Sequence, residues 1–241
     1  MSFRISVPSY VIPGTYKENL DFLHKNSSCR AVELLFFFYD EDAKALLKRE
    51  LAEIRAYSTS FLFTVHMPDE VLLEHEELIL ATTDFTEHYI IHPPRNKNAM
   101  AEFASVMDKW RESHGTERFL LENTRLYNFN LAEKAMASSV FGPMPLCADI
   151  GHLLMEGCCP AEWVAERADR IKEIHVHGFD GAKDHVLFTG NEAWLRDLAP
   201  FVRNFNGVIE IELFSWAEQL AAQSMLAKAW SLAHASTRKR R

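Results

Sequence analysis

The chain has 241 residues, of which 48% are hydrophobic and 25% charged, a balance typical of a globular protein with a substantial core. Its net charge of -8 provides no broad positive field, which argues against extended contact with nucleic acid. A small anionic substrate is still compatible with this charge if metal ions neutralise it locally. The N-terminal residues MSFRISVPSY lack the features of a leader, and no segment resembles a membrane span, so we expect a soluble, cytoplasmic protein.

The cysteines and the C-terminal residues carry little functional information. Cys29, Cys147, Cys158 and Cys159 include an adjacent pair that is unsuited to a disulfide framework, so we predict buried or half-buried thiols. The final residues STRKRR predict a basic, disordered tail at 236–241. No linker rich in Pro, Gly or Ser interrupts the chain, and residues 1–235 are therefore predicted to form one domain.

Short apolar, β-branched or aromatic runs alternate with helical periodicity along the whole chain. The predicted strands are Phe3 to Val7, Ala31 to Phe38, Phe61 to Val65, Tyr89 to Ile91, Arg118 to Leu121, Leu146 to Ala148, Ile171 to Val176 and Val208 to Leu213. Residues 41–58 and 98–114 have apolar residues three and four positions apart, which predicts helices. Eight strand–helix units of roughly thirty residues predict a (β/α)8 TIM barrel. An open doubly wound sheet is the alternative, but no G-x-G-x-x-G turn follows the first strand.

In a TIM barrel the chemistry gathers at the C-terminal ends of the strands, and here those ends carry metal-ligand side chains. From the third strand to the eighth, the candidates are His66, His92, Glu122, Asp149, His152, His175, His177, Asp184, His185, Glu210 and Glu212. A single histidine beside a strand has ordinary structural explanations. Buried carboxylates in this number must be neutralised, however, and divalent metals held by imidazole and carboxylate do so. The sequence therefore predicts a metal centre at the barrel mouth.

Strand alternation narrows the choice among neighbouring candidates. His175 and His177 share one strand face, as do Glu210 and Glu212, and the later residue of each pair lies nearer the mouth. This favours Glu212 over Glu210 but does not decide between the two histidines. The aromatic run FFFYD after the second strand favours core packing, with Phe38 and Tyr39 facing a planar ligand as the alternative.

These strand-end motifs, in this order, resemble the xylose isomerase-like TIM barrel superfamily, which includes the family 2 apurinic endonucleases typified by endonuclease IV. The resemblance covers nearly the whole chain. It implies three zinc ions that hydrolyse a phosphodiester, with Glu122 bridging two of them. The implied ligands are His66, His92, Glu122, Asp149, His152, His175, Asp184, His185 and Glu212.

Two departures from the endonuclease IV pattern lie at the seventh strand. Asp184 and His185 are adjacent, whereas that pattern has one residue between its aspartate and histidine, which puts the third metal in question. His177 stands where the pattern usually has asparagine. His177 is therefore a candidate for a residue that supports a metal ligand, for one that binds the substrate, or for a replacement ligand.

Sugar isomerases and epimerases of the same superfamily imply a smaller set around one metal, namely Glu122, Asp149, His175 and Glu212. In those enzymes the two glutamates exchange a proton with the substrate carbon next to a carbonyl. The additional ligand-type residues favour a hydrolase with several metals over this alternative. A barrel that binds a ligand without catalysis is a third possibility.

A narrower resemblance concerns the substrate. The segments SVPSYVIPGTYKENLDFLHK, VELLFFFYDEDAKAL, FTVHMP and IHVHGFDGAKDHVLF are similar to the cobamide-remodeling phosphodiesterases. This resemblance implies hydrolysis of a phosphoester in the nucleotide loop of a cobamide. We accordingly expect a small phosphodiester as substrate and two or three divalent ions, zinc or alternatively manganese, with Glu122 and Glu212 as catalytic residues. The short chain leaves little room for loops that would wrap a DNA duplex.

Overall fold

Within residues 3–238, which the computed structural model describes, eight parallel strands close into a barrel. The strands are β1 Arg4–Pro8, β2 Ala31–Leu35, β3 Leu62–His66, β4 Thr86–Ile91, β5 Phe119–Glu122, β6 Leu146–Asp149, β7 Ile171–Val176 and β8 Val208–Ile211. Each strand pairs with its neighbours in the chain, and β1 also pairs with β8, which closes the barrel. The predicted (β/α)8 barrel is confirmed.

Helices cover the outside of the barrel, and their ends follow local sequence signals. They are α1 Tyr16–Asn26, α2 Glu41–Ala56, α3 Glu76–Thr82, α4 Met100–His114, α5 Leu126–Ala137, α6 Ile150–Met155, α7 Pro160–Glu166, α8 Ala193–Val202 and α9 Trp216–Arg238. The side chain of Asp40 caps α2 by accepting a hydrogen bond from the Ala43 amide at 2.9 Å. Gly115 ends α4 with a φ of 105°, a conformation that glycine adopts without strain. The helices predicted at 41–58 and 98–114 are thus confirmed as α2 and α4.

The strand ends differ from the prediction in a systematic way. The third, fifth and sixth strands each extend one residue further than predicted, so His66, Glu122 and Asp149 are the last residues of β3, β5 and β6. The second strand was predicted to reach Phe38 but ends at Leu35, and Phe38 is 77% exposed. Hydrophobicity alone overestimated this strand because the aromatic run continues into the loop at the mouth.

The eighth strand ends at Ile211 instead of Leu213. The Leu213 amide donates to the Ile211 carbonyl at 2.9 Å, and this tight turn bends the chain away from the sheet. Glu212 keeps its place beside β7 because its amide donates to the Val176 carbonyl at 3.2 Å. The turn therefore leaves Glu212 at the rim of the barrel.

The barrel interior is divided between apolar and acidic side chains. Ile90, Leu120 and Cys147 are fully buried and form a small cluster separate from the main core between sheet and helices. Glu33, Glu173 and Glu210 are also fully buried. Glu173 and Glu210 precede the candidate ligands His175 and Glu212 by two residues, and Glu33 lies two residues before the end of β2, so all three underlie the mouth.

All four cysteines are free. Cys29 and Cys147 are buried and Cys158 is half-buried, as predicted, but the prediction is wrong for Cys159, which is exposed just before α7. Among the helices of residues 3–238, none has the length and apolar character needed to cross a bilayer. The predicted basic tail at 236–241 overlaps the end of α9 at Arg238, and residues 239–241 lie outside the described residues. The domain boundary at 235 stays a prediction.

Candidate metal centre

Glu122 lies at the centre of the barrel mouth, surrounded by three histidines from other elements. The Nε2 atoms of His66 and His92 lie 3.4 and 3.3 Å from Glu122 Oε2. His152 Nδ1 lies 3.3 Å from the other oxygen, Glu122 Oε1. The carboxylate is 1% exposed, so water provides little of its solvation. Both oxygens of Glu122 therefore face ring nitrogens that can share a cation with them.

The outer nitrogens of His66 and His92 face hydrogen-bond acceptors. His66 Nδ1 lies 2.9 Å from the Met67 carbonyl, and His92 Nδ1 lies 3.4 Å from the carboxylate of Asp69. Because carbonyl and carboxylate oxygens only accept, each Nδ1 carries a hydrogen, and each Nε2 is the ring nitrogen directed at Glu122. A lone pair on Nε2 that faces the carboxylate requires a proton or a metal ion between the two atoms.

Asp149 forms the second part of the centre and is held rigidly. Its Oδ1 accepts a hydrogen bond from the His152 amide at 2.7 Å, which caps α6, and its Oδ2 lies 3.1 Å from His152 Nδ1. Asn123 donates to the Asp149 carbonyl and accepts from the Asp149 amide, both at 2.8 Å. These contacts fix the carboxylate toward the mouth and join it to Glu122 through His152.

Glu212 lies close to two further histidines. Its Oε2 lies 3.5 Å from His175 Nδ1 and 3.3 Å from His185 Nε2. His185 has a φ of 51°, a left-handed conformation that is rare outside glycine and turns its ring inward. Asp184 Oδ1 lies 3.4 Å from His185 Nδ1, but its side chain is 42% exposed. Of the predicted ligands named here, Asp184 is thus the one on the open edge of the mouth.

His177 is fully buried beneath His185. Its Nδ1 lies 2.9 Å from the His185 amide, which donates to it, and 3.1 Å from the Gly178 carbonyl. His177 Nε2 in turn lies 3.2 Å from the Asp149 carboxylate. An antiparallel bridge between Gly178 and Val186 closes the intervening loop and stacks the rings of His177 and His185. His177 therefore contacts Asp149 from within the barrel, and its role as support for a ligand, substrate-binding group or replacement ligand stays a prediction.

The pKa values of His92 and His152 are raised above the usual histidine value. Burial alone would lower the pKa of His92, but the Glu122 and Asp69 carboxylates outweigh burial and raise it to about 10. Burial likewise opposes protonation of His152, whereas Asp149 and Glu122 raise its pKa to about 9. In the metal-free protein, protons therefore occupy the places between nitrogen and oxygen.

The same balance operates around Glu212. Burial would lower the pKa of His185, but Glu212 raises it to about 9. Burial would raise the pKa of the Glu122 and Glu212 carboxyls, yet the adjacent histidines hold both well below their usual value. A cation that enters the centre must displace the histidine protons.

The donor set at the mouth fits divalent metal ions. Among the described residues, five buried atoms of the mouth have no hydrogen-bond partner: His92 Nε2, Glu122 Oε2, His152 Nδ1, His175 Nδ1 and Glu212 Oε2. Several groups of described residues have ligand atoms within 4.8 Å of one another, and they include His66, His92 and Glu122; Asp149, His152 and His177; and His177, His185 and Glu212. Imidazole and carboxylate together suit zinc and related ions.

The mouth opens into a cavity of about 690 Å³. Its lining includes ligand residues, the arginines Arg95 and Arg125, and the phenylalanines Phe37, Phe38 and Phe214, of which Phe214 stacks on the ring of His185. An adjoining groove of about 590 Å³ shares these three phenylalanines. The prediction that the FFFYD run packs in the core is wrong for Phe38, which is 77% exposed at the cavity.

Sequence reasoning missed some residues that support the centre. Asp69 follows the H-M-P turn after β3 and contacts His92, and a reading extended three residues beyond His66 would have found it. Glu33 interrupts the otherwise apolar segment AVELL of β2, which is a signal for a paired buried charge. Tyr39 packs edge-on against Phe36, with ring centroids 5.8 Å apart, so core packing holds for that residue.

No family model matches the chain, and no curated protein matches it either. Solved structures do match. The apo form of 3-keto-D-glucoside 4-epimerase from E. coli is 14% identical, with 95% of this chain and 99% of that chain covered and a TM-score of 0.66. L-ribulose 3-epimerase is 14% identical, with 98% and 97% covered and a TM-score of 0.64. A probable 3-DHS dehydratase from Bacillus anthracis is 12% identical, with 95% and 98% covered and a TM-score of 0.64.

At these identities the matches show the fold alone, a TIM barrel of the xylose isomerase-like kind, and membership of the superfamily stays a prediction. The named structures are sugar epimerases and a dehydratase. The narrower resemblance to cobamide phosphodiesterases receives no support from them.

Proposed function

We propose that this chain is a metal-dependent enzyme that hydrolyses a small phosphodiester with at least two divalent ions. The observation that carries the proposal is the set of three histidines, His66, His92 and His152, within 3.4 Å of the Glu122 carboxylate. A sugar isomerase with one metal has no need of this set. A bridging carboxylate with separate histidines on its two oxygens suits two ions.

Each residue of the centre has a distinct role in the proposed hydrolysis. His66, His92 and Glu122 would hold one ion, and Asp149, His152 and Glu122 another. Bound there, the ions supply positive charge to the phosphate oxygens and lower the pKa of a water molecule. Glu122 orients that water and accepts its proton, a role that its central position permits. No side-chain nucleophile is required.

The phenylalanines that line the cavity support a substrate with a flat group. Phe38 extends from the loop after β2 with most of its surface free, and it lines the same cavity as the ligand residues. An aromatic face in this place favours a planar part of the substrate while the phosphate lies at the metal centre. The nucleotide loop of a cobamide is the candidate that the sequence resemblance names. Two further statements stay predictions: that the chain does not bind extended nucleic acid, and that it is located in the cytoplasm.

A sugar isomerase or epimerase with one metal is the second candidate, and the structural comparisons favour it. Two of the three structures named above are sugar epimerases. The required carboxylates are also in place, since Glu122 and Glu212 lie 3.8 and 3.5 Å from the same atom, His175 Nδ1. In that reaction the two glutamates would exchange a proton with the substrate carbon next to a carbonyl.

Metal stoichiometry separates the two candidates. Elemental analysis of the purified protein should find two or more divalent ions per chain, and His66→Ala with His92→Ala should remove one of them. His24→Ala, an exposed histidine on α1, is the matched control and should change nothing. One ion per chain that survives the double substitution would contradict the hydrolase and support the isomerase.

Turnover identifies the substrate. The protein, supplied with zinc or manganese, should release alcohol from an aryl phosphodiester, and incubation with a cobamide should yield a product that mass analysis identifies as cleaved in the nucleotide loop. Epimerisation of keto sugars without phosphodiester cleavage would support the second candidate. No turnover of either class would indicate a barrel that binds a ligand without catalysis.

A further inference from the structure

Glu33 is a buried carboxylate that contacts the metal centre from below. It lies in the middle of β2 and is fully buried, and its Oε2 is 3.1 Å from His175 Nε2 on β7. Both side chains point into the barrel interior, where water cannot replace either partner. A charged residue at this depth requires a specific partner, and His175 provides it.

The contact assigns a direction to the His175 ring. The Glu33 carboxylate accepts a hydrogen bond, so Nε2 of His175 carries the hydrogen and Nδ1 is the nitrogen that can bind a metal. His175 Nδ1 faces Glu212 Oε2 at 3.5 Å and Glu122 Oε2 at 3.8 Å, and it has no hydrogen-bond partner among the described residues. One nitrogen of the His175 ring therefore contacts the supporting residue Glu33, and the other faces the metal centre.

We propose that Glu33 is a positioning residue that holds His175 with Nδ1 directed at the metal centre. The inference rests on the proposed metal-dependent function and adds a residue which sequence reasoning did not assign. Thr64, the neighbour of Glu33 in the register of β2 and β3, lies 3.4 Å from Glu33 Oε2 through its hydroxyl and keeps the carboxylate in place. Glu33 acts through His175 and does not touch the cavity.

The test measures metal binding without substrate. Glu33→Gln keeps an oxygen that accepts from His175 but removes the charge, whereas Glu33→Ala removes both. Cobalt(II) serves as the probe because its visible absorption reports the ligand geometry. We expect the cobalt affinity to fall about 10- to 100-fold in Glu33→Ala and less in Glu33→Gln, with an altered spectrum in both, because outer partners of metal-binding histidines have effects of this size.

Glu210→Gln is the matched control. Glu210 is also fully buried and is paired with His175 in the register of β7 and β8, but neither of its side-chain oxygens has a hydrogen-bond partner among the described residues. Its substitution should leave the cobalt affinity and spectrum unchanged. Equal losses in Glu210→Gln and Glu33→Gln would indicate a general effect of interior charge and overturn the proposal.

A measurement on the wild-type protein tests the proposal even if the variants fail to fold. In the cobalt-loaded protein, the His175 Nε2 hydrogen should give a shifted proton resonance that exchanges slowly with water, because Glu33 holds it in the buried interior. Absence of this resonance overturns the proposal. If wild-type protein binds one cobalt ion with the expected Glu33 dependence, the hydrolase with several metals fails while the role of Glu33 stands. If it binds none, both fail.

Discussion

At the scale of single residues, the centre depends on Glu122 more than on any other carboxylate described above. Its two oxygens lie within 3.4 Å of His66, His92 and His152, so this carboxylate joins the Asp149 side of the mouth to the His66 side. Glu122→Gln preserves the shape of the side chain but replaces one carboxylate oxygen with an amide nitrogen, which donates hydrogen bonds. In the metal-bound form, the histidine nitrogens that it would face have already lost their protons. We expect turnover to fall by about 100-fold or more and metal content to decrease.

Glu122→Gln is checked by activity and elemental analysis, with circular dichroism to establish that the fold persists. Glu210→Gln is a control of equal burial outside the mouth and should keep its activity. Wild-type turnover by Glu122→Gln would rule out its role as bridge and base.

Gly151 provides a second prediction at this scale, because it leaves the space that His177 occupies. A Cβ at residue 151 would lie 1.9 Å from His177 Cε1, so Gly151→Ala must displace the ring from the Asp149 carboxylate. We expect Gly151→Ala to lower the free energy of unfolding by about 1–3 kcal/mol, as for other overpacked cores, and to weaken metal binding. The glycine is explained by this close approach and not by a positive φ.

A double-mutant cycle isolates that contact. In a His177→Ala background the steric conflict is absent, so Gly151→Ala should cost much less there than in the wild-type protein. Denaturant unfolding of the four proteins gives the coupling. Additive effects would show that the cost of the alanine arises from the backbone of α6 instead of from His177.

At the scale of elements, the positions of the strands were predictable and the course of the loops was not. Apolar runs located all eight strands, and the period-two alternation placed His175 and His177 together on the inner face, as observed. The ends of β2 and β8 were wrong, because hydrophobicity does not separate a strand from an aromatic loop or a tight turn. The contacts of Glu33 and Asp69 join residues far apart in the chain, and local patterns do not encode such partners.

The aromatic loop after β2 gives the prediction at this scale. Phe38→Ala should raise the KM for a phosphodiester with a large aromatic group by about 10-fold, the loss of roughly one stacking contact, and leave an aliphatic phosphodiester unaffected. Leu80→Ala, another exposed apolar residue on α3, is the control. Equal KM changes for both substrates would show that Phe38 supports the loop and does not contact the substrate.

At the scale of the whole molecule, the metal centre links stability to pH. His92, His152 and His185 have pKa values raised to about 10, 9 and 9, above the ordinary histidine value of about 6.5. A raised pKa in the folded state stabilises the protonated form, so this stabilisation is complete below about pH 6.5 and is lost as the pH rises through 9 to 10. The metal-free protein should therefore become less stable between about pH 7 and 10.

Metal ions remove this dependence of stability on pH, because they bind the unprotonated rings and replace the protons between nitrogen and carboxylate. The metal-loaded protein should keep its thermal midpoint over the same pH range, and its metal affinity should increase with pH. Calorimetric unfolding of both forms from pH 6 to 10 measures the difference. A variant with His92→Ala, His152→Ala and His185→Ala corrects for other groups that titrate in alkali, and its metal-free form should show a smaller decline. If that variant declines as steeply as the wild-type protein, the alkaline loss of stability originates outside the barrel mouth.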